Sequence, residues 1–172
     1  MNAEPFDDKD GFRVWLDQSE TETLLAAADR GEERTAFALG VRSGLRASEI
    51  VDVSAKDVVP TSAGPRVRVW HSKGKRYRET PTTTDILARA DTLAELEGEE
   101  TLLVDRSRQW VNRHLDDVTE DLAADGDEMW RHVTPHDLRR TWATRLSAKM
   151  DDPLMVMDLG GWGDMEHFLD HC

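Results

Sequence analysis

Positively charged side chains are concentrated in two stretches of an acidic chain. Residues 65–81 read PRVRVWHSKGKRYRETP and carry six basic side chains against one acid, and residues 131–145 carry four against one, whereas the 172-residue chain has a net charge of −13. Arginine and lysine bind anionic oxygens, and arginine does so with a planar fork that contacts two at once. The clustering predicts one anion-binding face. For the second stretch, ordinary solvated ion pairs remain an alternative.

Four short motifs carry further candidate side chains in a fixed order along the chain. They are Gly44-Leu45-Arg46-Ala47-Ser48-Glu49, Lys73-Gly74-Lys75, His136-Asp137-Leu138-Arg139 and Leu159-Gly160-Gly161-Trp162. Three residues separate His136 from Arg139, which is one turn of a helix, so that both side chains can face the same ligand.

The elements that must position these motifs are mostly helical. Apolar residues at helical spacing, with capping residues before them and glycine or proline after them, define the helices. A capping box at Ser19 and Glu22 begins the first helix, which we expect to run to Gly31. Further helices are predicted over 33–43 with Gly44 as the C-terminal cap, at 48–49, over 84–96 and 106–124, and from Pro135, Pro153 and Asp164.

A change of period from 3.6 to 2 predicts a β-hairpin. Val67 and Val69 alternate with Arg66 and Arg68, and Tyr77 and Glu79 continue the alternation beyond the basic, glycine-containing tip Ser72-Lys73-Gly74-Lys75. The predicted fold class is therefore mainly α with a small antiparallel β-sheet, an α+β arrangement. Residues 1–12 lack periodicity and are expected to form a loose tail, and 13–172 are expected to form one domain.

Composition excludes several classes of protein. No apolar stretch approaches the length of a membrane span, and the acidic N-terminus does not resemble a secretory signal. The single cysteine, Cys172, excludes an internal disulfide framework, so we expect a cytoplasmic protein. The excess of Asp, with 17 Arg and 5 Lys, resembles proteins of salt-accumulating, halophilic cytoplasms, in which screening prevents net charge from excluding a nucleic-acid partner.

The run from Thr134 to Leu146, TPHDLRRTWATRL, together with the other three motifs, resembles the catalytic domain of the tyrosine recombinases, the phage integrase family. The resemblance covers roughly residues 14–172 and implies the tyrosine recombinase catalytic-core fold. It implies site-specific recombination or integration of double-stranded DNA through a 3′-phosphotyrosine intermediate. No metal or nucleotide cofactor is implied, and the implied assembly is a homo-oligomer on DNA, a synaptic tetramer.

The resemblance also assigns roles to individual residues. Arg46 and Arg139 would bind the non-bridging oxygens of the transition state. Lys73 would protonate the departing 5′ oxygen, although Lys75 lies beside it, and His136 would assist proton transfer from the nucleophile. Trp162 would donate its indole N–H to a phosphate oxygen. The predicted DNA contacts are Arg66, Arg68, Lys75, Arg76, Arg78 and Arg140.

Two parts of the family pattern are missing from this chain. The nucleophilic tyrosine is expected nine or ten residues after Trp162, at or just after His171-Cys172, but the only tyrosine is Tyr77. Either the chain is cut short, or it cannot cleave by this route, or another subunit supplies the nucleophile. Only about a dozen residues precede the matching region, so we expect no N-terminal core-binding domain.

Other interpretations compete with these. A catalytically dead DNA-binding relic would keep the fold, and a halophilic scaffold would bind no nucleic acid. His132 with His136 and His167 with His171, each at i, i+4 spacing, could form a metal site with Cys172. Arg46 could simply pair with Glu49 at a helix end, and Trp162 could be a core residue.

Overall fold

The computed structural model describes residues 1–6, 10–29, 31–70, 77–150 and 152–169, without the side chains of His167 and Leu169. The helices are α1 Gln18–Ala27, α2 Glu32–Ser43, α3 Ala47–Ile50, α4 Thr84–Glu97, α5 Arg108–Ala124, α6 Pro135–Ser147, α7 Pro153–Gly160 and α8 Met165–Leu169. The strands are β1 Asn2–Pro5, β2 Phe12–Trp15, β3 Val58–Val59, β4 Arg66–Val69 and β5 Arg78–Pro81. Two short 3₁₀ helices are Ala55–Asp57 and Glu128–His132. The predicted fold class, mainly α with small antiparallel sheets, is confirmed.

The end of α2 and the start of α6 lie where the sequence predicted them. α2 ends at Gly44, whose φ of 68° is the left-handed conformation that glycine adopts without strain. A Cβ atom there would lie 2.4 Å from the ring of Trp142 on α6, so the close packing of α2 on α6 also requires glycine. α6 begins with Pro135 and a reciprocal capping box between Thr134 and Asp137.

The start of α1 differs from the prediction. The cap is Asp17, whose carboxylate accepts from the backbone N–H of Glu20, while the Glu20 side chain accepts from Asp17 N–H, both at 2.8 Å. The helix therefore starts two residues earlier than the Ser19 signal indicated, and it ends at Ala27 rather than at Gly31. Asp17 and Glu20 have the three-residue spacing of a capping box, and the preceding residue, Leu16, donates its N–H to Thr141 Oγ1 on α6.

The N-terminal residues are more ordered than the sequence indicated. β1 pairs antiparallel with β2, with Ala3 opposite Val14, so residues 2–5 form a strand rather than a loose tail. The pairing uses backbone groups, which side-chain periodicity does not report. β2 is tied to α6, because Val14 N–H donates to Asp137 Oδ1 at 3.1 Å.

The two strands of the predicted hairpin are present as β4 and β5, which pair antiparallel. β3, β4 and β5 form an antiparallel sheet in that order. Val67 and Val69 point into the core, whereas Arg66 and Arg68 lie on the partly exposed face. The tip, residues 71–76, lies outside the described residues, and so do the predictions for Lys73, Lys75 and Arg76.

Two hydrophobic clusters hold these elements together. The larger surrounds α2, which is buried over most of its length. The smaller lies beneath the C-terminal helices and consists of Trp142, Ala143, Val156, Trp162 and Phe168. Burying a large apolar side chain contributes about 1.5–3 kcal/mol, so this second cluster fixes α7 and α8 against α6. In the described part of the chain, every helix is too short or too polar to span a bilayer.

Candidate functional site

Three consecutive carbonyl groups at the C-terminal end of α7 each accept a hydrogen bond from a different arginine. The pairs are Leu159 O with Arg78 Nε at 3.1 Å, Gly160 O with Arg139 Nη2 at 2.7 Å and Gly161 O with Arg46 Nη2 at 3.1 Å. The carbonyl end of a helix carries partial negative charge, which favours cations there. Segments far apart in sequence, the start of α3, β5 and α6, therefore meet at one point. We call these three arginines, with Glu49, the arginine cluster.

Glu49 on α3 bridges two members of the arginine cluster. Its Oε1 accepts from Arg46 Nη1 at 2.8 Å and from Arg78 Nη1 at 2.9 Å. Its Oε2 accepts from the backbone N–H of Arg46 and from Arg78 Nη2, each at 2.8 Å. Both oxygens of the carboxylate thus receive one hydrogen bond from each arginine, which fixes the plane of the carboxylate.

The charge of Glu49 is maintained despite burial. Burial raises the pKa of Glu49, but the hydrogen bonds and charge of Arg78, followed by those of Arg46, outweigh it and hold the pKa below its ordinary value of 4.5. Glu49 is therefore a carboxylate at neutral pH. Within the arginine cluster this carboxylate is shared by Arg46 and Arg78, and the carbonyl end of α7 adds roughly half a negative charge.

Arg139 lies deepest in the arginine cluster, with 1% of its surface exposed. Its Nη1 donates to Gly44 O at 2.5 Å, and its guanidinium carbon lies 3.8 Å from the ring centroid of Trp162. The Trp162 ring stacks on Trp142 with centroids 6.3 Å apart. The contact between the Arg139 guanidinium and the Trp162 ring is a cation–π interaction, and in a buried setting it is worth about 2 kcal/mol. Trp162 is thus a core residue that carries Arg139 on its face.

The Gly160-Gly161 pair permits this approach. A Cβ atom on Gly160 would lie 1.8 Å from the Trp162 ring, so no larger residue fits while the indole lies flat against the end of α7. The glycine pair before Trp162 is therefore required by packing at the carbonyls that Arg139 and Arg46 contact.

Arg46 is the member of the arginine cluster that solvent reaches most readily. Its side chain is 26% exposed, against 6% for Arg78. An anion arriving from solvent would meet Arg46 first. The helix-end pair with Glu49 that the sequence offered as an alternative is present, and Arg46 also uses its second Nη on Gly161.

Of the predicted catalytic residues, the structure brings together Arg46, Arg139 and Trp162. His136 is exposed in the first turn of α6, one turn before the buried Arg139. Lys73 and the nucleophile position at His171 and Cys172 lie outside the described residues. The chemical roles of these residues stay predictions.

Two of the predicted DNA contacts need correction. Arg78 is 7% exposed and Arg140 is 5% exposed. Arg78 is engaged by Glu49, and Arg140 forms an ion pair with Asp137 in its own helix. Both guanidinium groups are engaged by carboxylates inside the fold, and removing either carboxylate would leave a buried charge without its counterion. Arg66 and Arg68 keep the outward position that DNA contact requires.

Tyr77, the only tyrosine of the chain, has a different partner. Its hydroxyl donates to Glu79 Oε1 at 2.5 Å. That hydrogen bond raises the pKa of the phenol above its ordinary value of 10.0. The partners of Tyr77, which are Glu79 and the Trp70 ring, lie outside the arginine cluster.

Metal binding receives no support from the described residues. Among them, no group of three or more His, Cys, Asp and Glu side chains could hold an ion. His132 packs edge-on against Phe12, with ring centroids 4.8 Å apart. The other half of the hypothesis uses His171 and Cys172, which fall outside the described ranges.

Sequence reasoning missed the bridging role of Glu49. The signal was its spacing of three residues from Arg46, which the sequence analysis interpreted only as a local pair. The spacing could not reveal Arg78, which comes from another element and binds both carboxylate oxygens.

Comparisons with known proteins agree on family and fold. The family model described as "Phage integrase family" matches residues 14–170. The XerA recombinase structure matches with a TM-score of 0.73 at 20% identity over 92% of this chain and 59% of that one. The Tn1549 transposon integrase in complex with transposon right end DNA matches with a TM-score of 0.71 at 16% identity, over 96% and 63%. The catalytic domain of bacteriophage HP1 integrase matches with a TM-score of 0.61 at 18% identity, over 92% and 86%.

The lengths covered differ between these structures. This chain spans about three fifths of the XerA and Tn1549 chains and most of the HP1 catalytic domain. At these identities the likeness shows a shared fold. No curated protein matches the chain in sequence.

Proposed function

Because the chain belongs to the phage integrase family, we propose that it is the catalytic domain of a tyrosine-type site-specific DNA recombinase. The proposed substrate is duplex DNA, and the reaction is cleavage and rejoining of a phosphodiester through a 3′-phosphotyrosine. A DNA partner is supported by the Tn1549 integrase, whose structure was determined in complex with transposon right end DNA.

The observation that carries the proposal is the meeting of Arg46 and Arg139 on adjacent carbonyls. Arg46 donates to Gly161 O and Arg139 to Gly160 O, although the two arginines lie on different elements. Arg46, whose side chain is 26% exposed, is the guanidinium of the cluster that an anion from solvent can reach. A phosphodiester in its pentavalent transition state gathers negative charge on its non-bridging oxygens, which preorganised arginines stabilise.

In the proposed reaction the phosphate passes from the 5′ oxygen of the DNA to a tyrosine. The tyrosine oxygen forms a bond to phosphorus and loses its proton with the help of His136, and the bond from phosphorus to the 5′ oxygen breaks. Lys73 gives a proton to that leaving oxygen. Arg46 and Arg139 stabilise the non-bridging oxygens of the phosphate, with Arg46 on the side that faces solvent and Arg139 behind it. The tyrosine is expected at or just after His171 and Cys172, or from another subunit.

DNA binding by Arg46 tests the proposal directly. The purified chain selects duplexes from a random-sequence pool, and its affinity for a selected duplex is measured over a range of salt concentrations. Each lost phosphate contact lowers the slope of log affinity against log salt by about 0.9. We expect Arg46→Ala to lower the slope by that amount.

The matched control is Arg106→Ala. Arg106 forms an exposed ion pair with Glu32 at 2.7 Å on the segment before α5, outside the arginine cluster. Its substitution should leave the slope unchanged. An unchanged slope for Arg46→Ala, or equal slopes for the two variants, contradicts the assignment of Arg46 to phosphate.

A DNA-binding protein that does not cleave is the second candidate. Cleavage by the proposed route requires a tyrosine, and residues 163–172 contain none. The source DNA is first sequenced beyond the codon for Cys172, and the protein is produced up to the stop codon found. That protein is incubated with the selected duplex carrying a 5′-bridging phosphorothiolate, which traps a covalent adduct. A mass increase on a tyrosine supports the enzyme, whereas binding with no adduct supports the second candidate.

Assembly and cellular setting belong to the same proposal. We propose a homo-oligomer on DNA in a salt-rich cytoplasm, in line with the acidic composition. The mass of the complex with the selected duplex, measured in molar salt, tests both statements. A complex with one chain per duplex at every protein concentration contradicts the oligomer.

A further inference from the structure

Arg78 uses every part of its guanidinium inside the protein. Nη1 and Nη2 bind the two oxygens of Glu49 at 2.9 and 2.8 Å, and Nε binds Leu159 O at 3.1 Å. Such a two-pronged contact fixes both distance and orientation, which a lysine ammonium cannot do. Because the side chain is 6% exposed, Arg78 cannot meet DNA at the surface in this arrangement.

The carboxylate that Arg78 holds is also the one that holds Arg46. Glu49 accepts from the Nη1 and from the backbone N–H of Arg46, both at 2.8 Å. The terminal torsion of a glutamate side chain has broad preferences, so the carboxylate plane is set by its partners. Arg78 therefore determines the direction in which Glu49 presents its oxygens to Arg46.

Arg78 also contacts the segment that holds the other side of Arg46. Arg46 Nη2 donates to Gly161 O, two residues beyond the Leu159 carbonyl that Arg78 binds. A Cβ atom on Gly161 would lie 3.0 Å from Arg78 Cδ, which shows how closely the turn packs on this side chain. Both anchors of the Arg46 guanidinium thus depend on Arg78.

We propose that Arg78 is a positioning residue that holds Arg46, through Glu49 and the end of α7, in the geometry in which it binds a DNA phosphate. The inference rests on the proposed function. Because Arg78 begins β5, it also joins the β4–β5 strand pair to the arginine cluster. Replacing the Arg78 guanidinium by the ammonium group of lysine should therefore reduce phosphate binding by Arg46, although the total charge of the protein stays the same.

A double-mutant cycle on the selected duplex tests this coupling. The variants are Arg46→Ala, Arg78→Lys and the two combined, with affinities measured at one salt concentration. Hydrogen bonds to charged groups are worth about 1.5–3 kcal/mol, so Arg46→Ala should weaken binding about tenfold or more. In the Arg78→Lys background the same change should cost about threefold or less. The control background is Arg106→Lys, which alters an exposed ion pair. In that background Arg46→Ala should still weaken binding about tenfold.

A second measurement separates positioning from general loss of stability. Arg46 is held at Nη1 by Glu49 and at Nη2 by Gly161, which should slow rotation of its guanidinium and give separate Nη signals in NMR spectra of ¹⁵N-arginine-labelled protein. We expect these signals to merge in Arg78→Lys, while thermal unfolding stays cooperative. If Arg78→Lys does not fold, Glu49→Gln replaces it, and the same loss of coupling is expected.

The possible outcomes distinguish the two proposals. Arg46→Ala without effect on binding contradicts the phosphate role of Arg46 and hence the proposed function. A tenfold effect of Arg46→Ala that is equally large in the Arg78→Lys background overturns the positioning role of Arg78 alone. Separate Arg46 Nη signals that persist in Arg78→Lys overturn it as well.

Discussion

The stability of the arginine cluster depends on one buried carboxylate, that of Glu49. Replacing Glu49 by Ala removes four hydrogen bonds, two to Arg78 and two to Arg46, and leaves the Arg78 guanidinium buried without its counterion. Breaking a buried ion pair by removing one partner costs about 3–5 kcal/mol, because the remaining charge is not compensated. For a domain of this size, each kcal/mol lowers Tm by about 2–4 °C. We expect Glu49→Ala to lower Tm by about 6–20 °C.

Thermal unfolding followed by circular dichroism, at pH 7 and at low and molar salt, measures this effect. The matched control is Glu120→Ala, which removes an exposed partner of Arg131 at 3.0 Å. Exposed pairs contribute about 0–1 kcal/mol and are screened by salt, whereas buried pairs are screened much less. A decrease in Tm for Glu49→Ala that is no larger than the control's, or that vanishes in molar salt, refutes the reasoning.

The contribution of Glu49 to the free energy of unfolding should depend on pH, in the direction set by its pKa. Its pKa is lower in the folded chain than the ordinary 4.5, so the unfolded chain takes up a proton first as the pH falls. The stabilisation is fully present above pH 4.5 and is lost as the pH falls through the folded-state pKa. The difference in unfolding free energy between the unsubstituted chain and Glu49→Gln should therefore be constant near neutrality and shrink below pH 4.5. A difference that grows on acidification contradicts this sign.

Two further predictions concern single residues. Gly160→Ala should destabilise the fold by about 1–3 kcal/mol, because its Cβ would lie 1.8 Å from the Trp162 ring. Gly163→Ala should leave Tm nearly unchanged, because no atom of the described residues lies within 4 Å of its Cβ. Equal Tm values for the two variants would show that the indole moves without cost. The phenol of Tyr77 should titrate above pH 10.0 in a near-ultraviolet absorbance titration, and Glu79→Gln should lower the midpoint. A midpoint at or below 10.0 in the unsubstituted chain would mean that the hydrogen bond to Glu79 does not form.

Local signals in the sequence determined the elements that carry the site. Gly44 ends α2 because a left-handed residue is needed there, and Thr134 with Pro135 and Asp137 begins α6. The alternation of Val67 and Val69 with arginines placed β4 correctly. These features depend on backbone conformation and on near neighbours, which is why they can be inferred from sequence.

The direction in which Arg78 points shows the limit of such inference. In the sheet register Val69 lies opposite Arg78, and Arg68 lies opposite Glu79. Directly opposed residues share a face, so Arg78 points inward with Val69. Strict alternation from Tyr77 and Glu79 already indicated this face, but the charge of Arg78 and its place in a basic stretch favoured an outward contact with DNA.

Only the tertiary structure showed what makes the inward arginine stable. Glu49 and the carbonyl of Leu159 lie 29 and 81 residues from Arg78 in sequence. The sequence determined the order of Arg46, Arg139 and Trp162 along the chain. Their meeting at the end of α7 was decided by packing, because a buried charge is tolerated only where partners from distant segments satisfy it, and no local pattern specifies those partners.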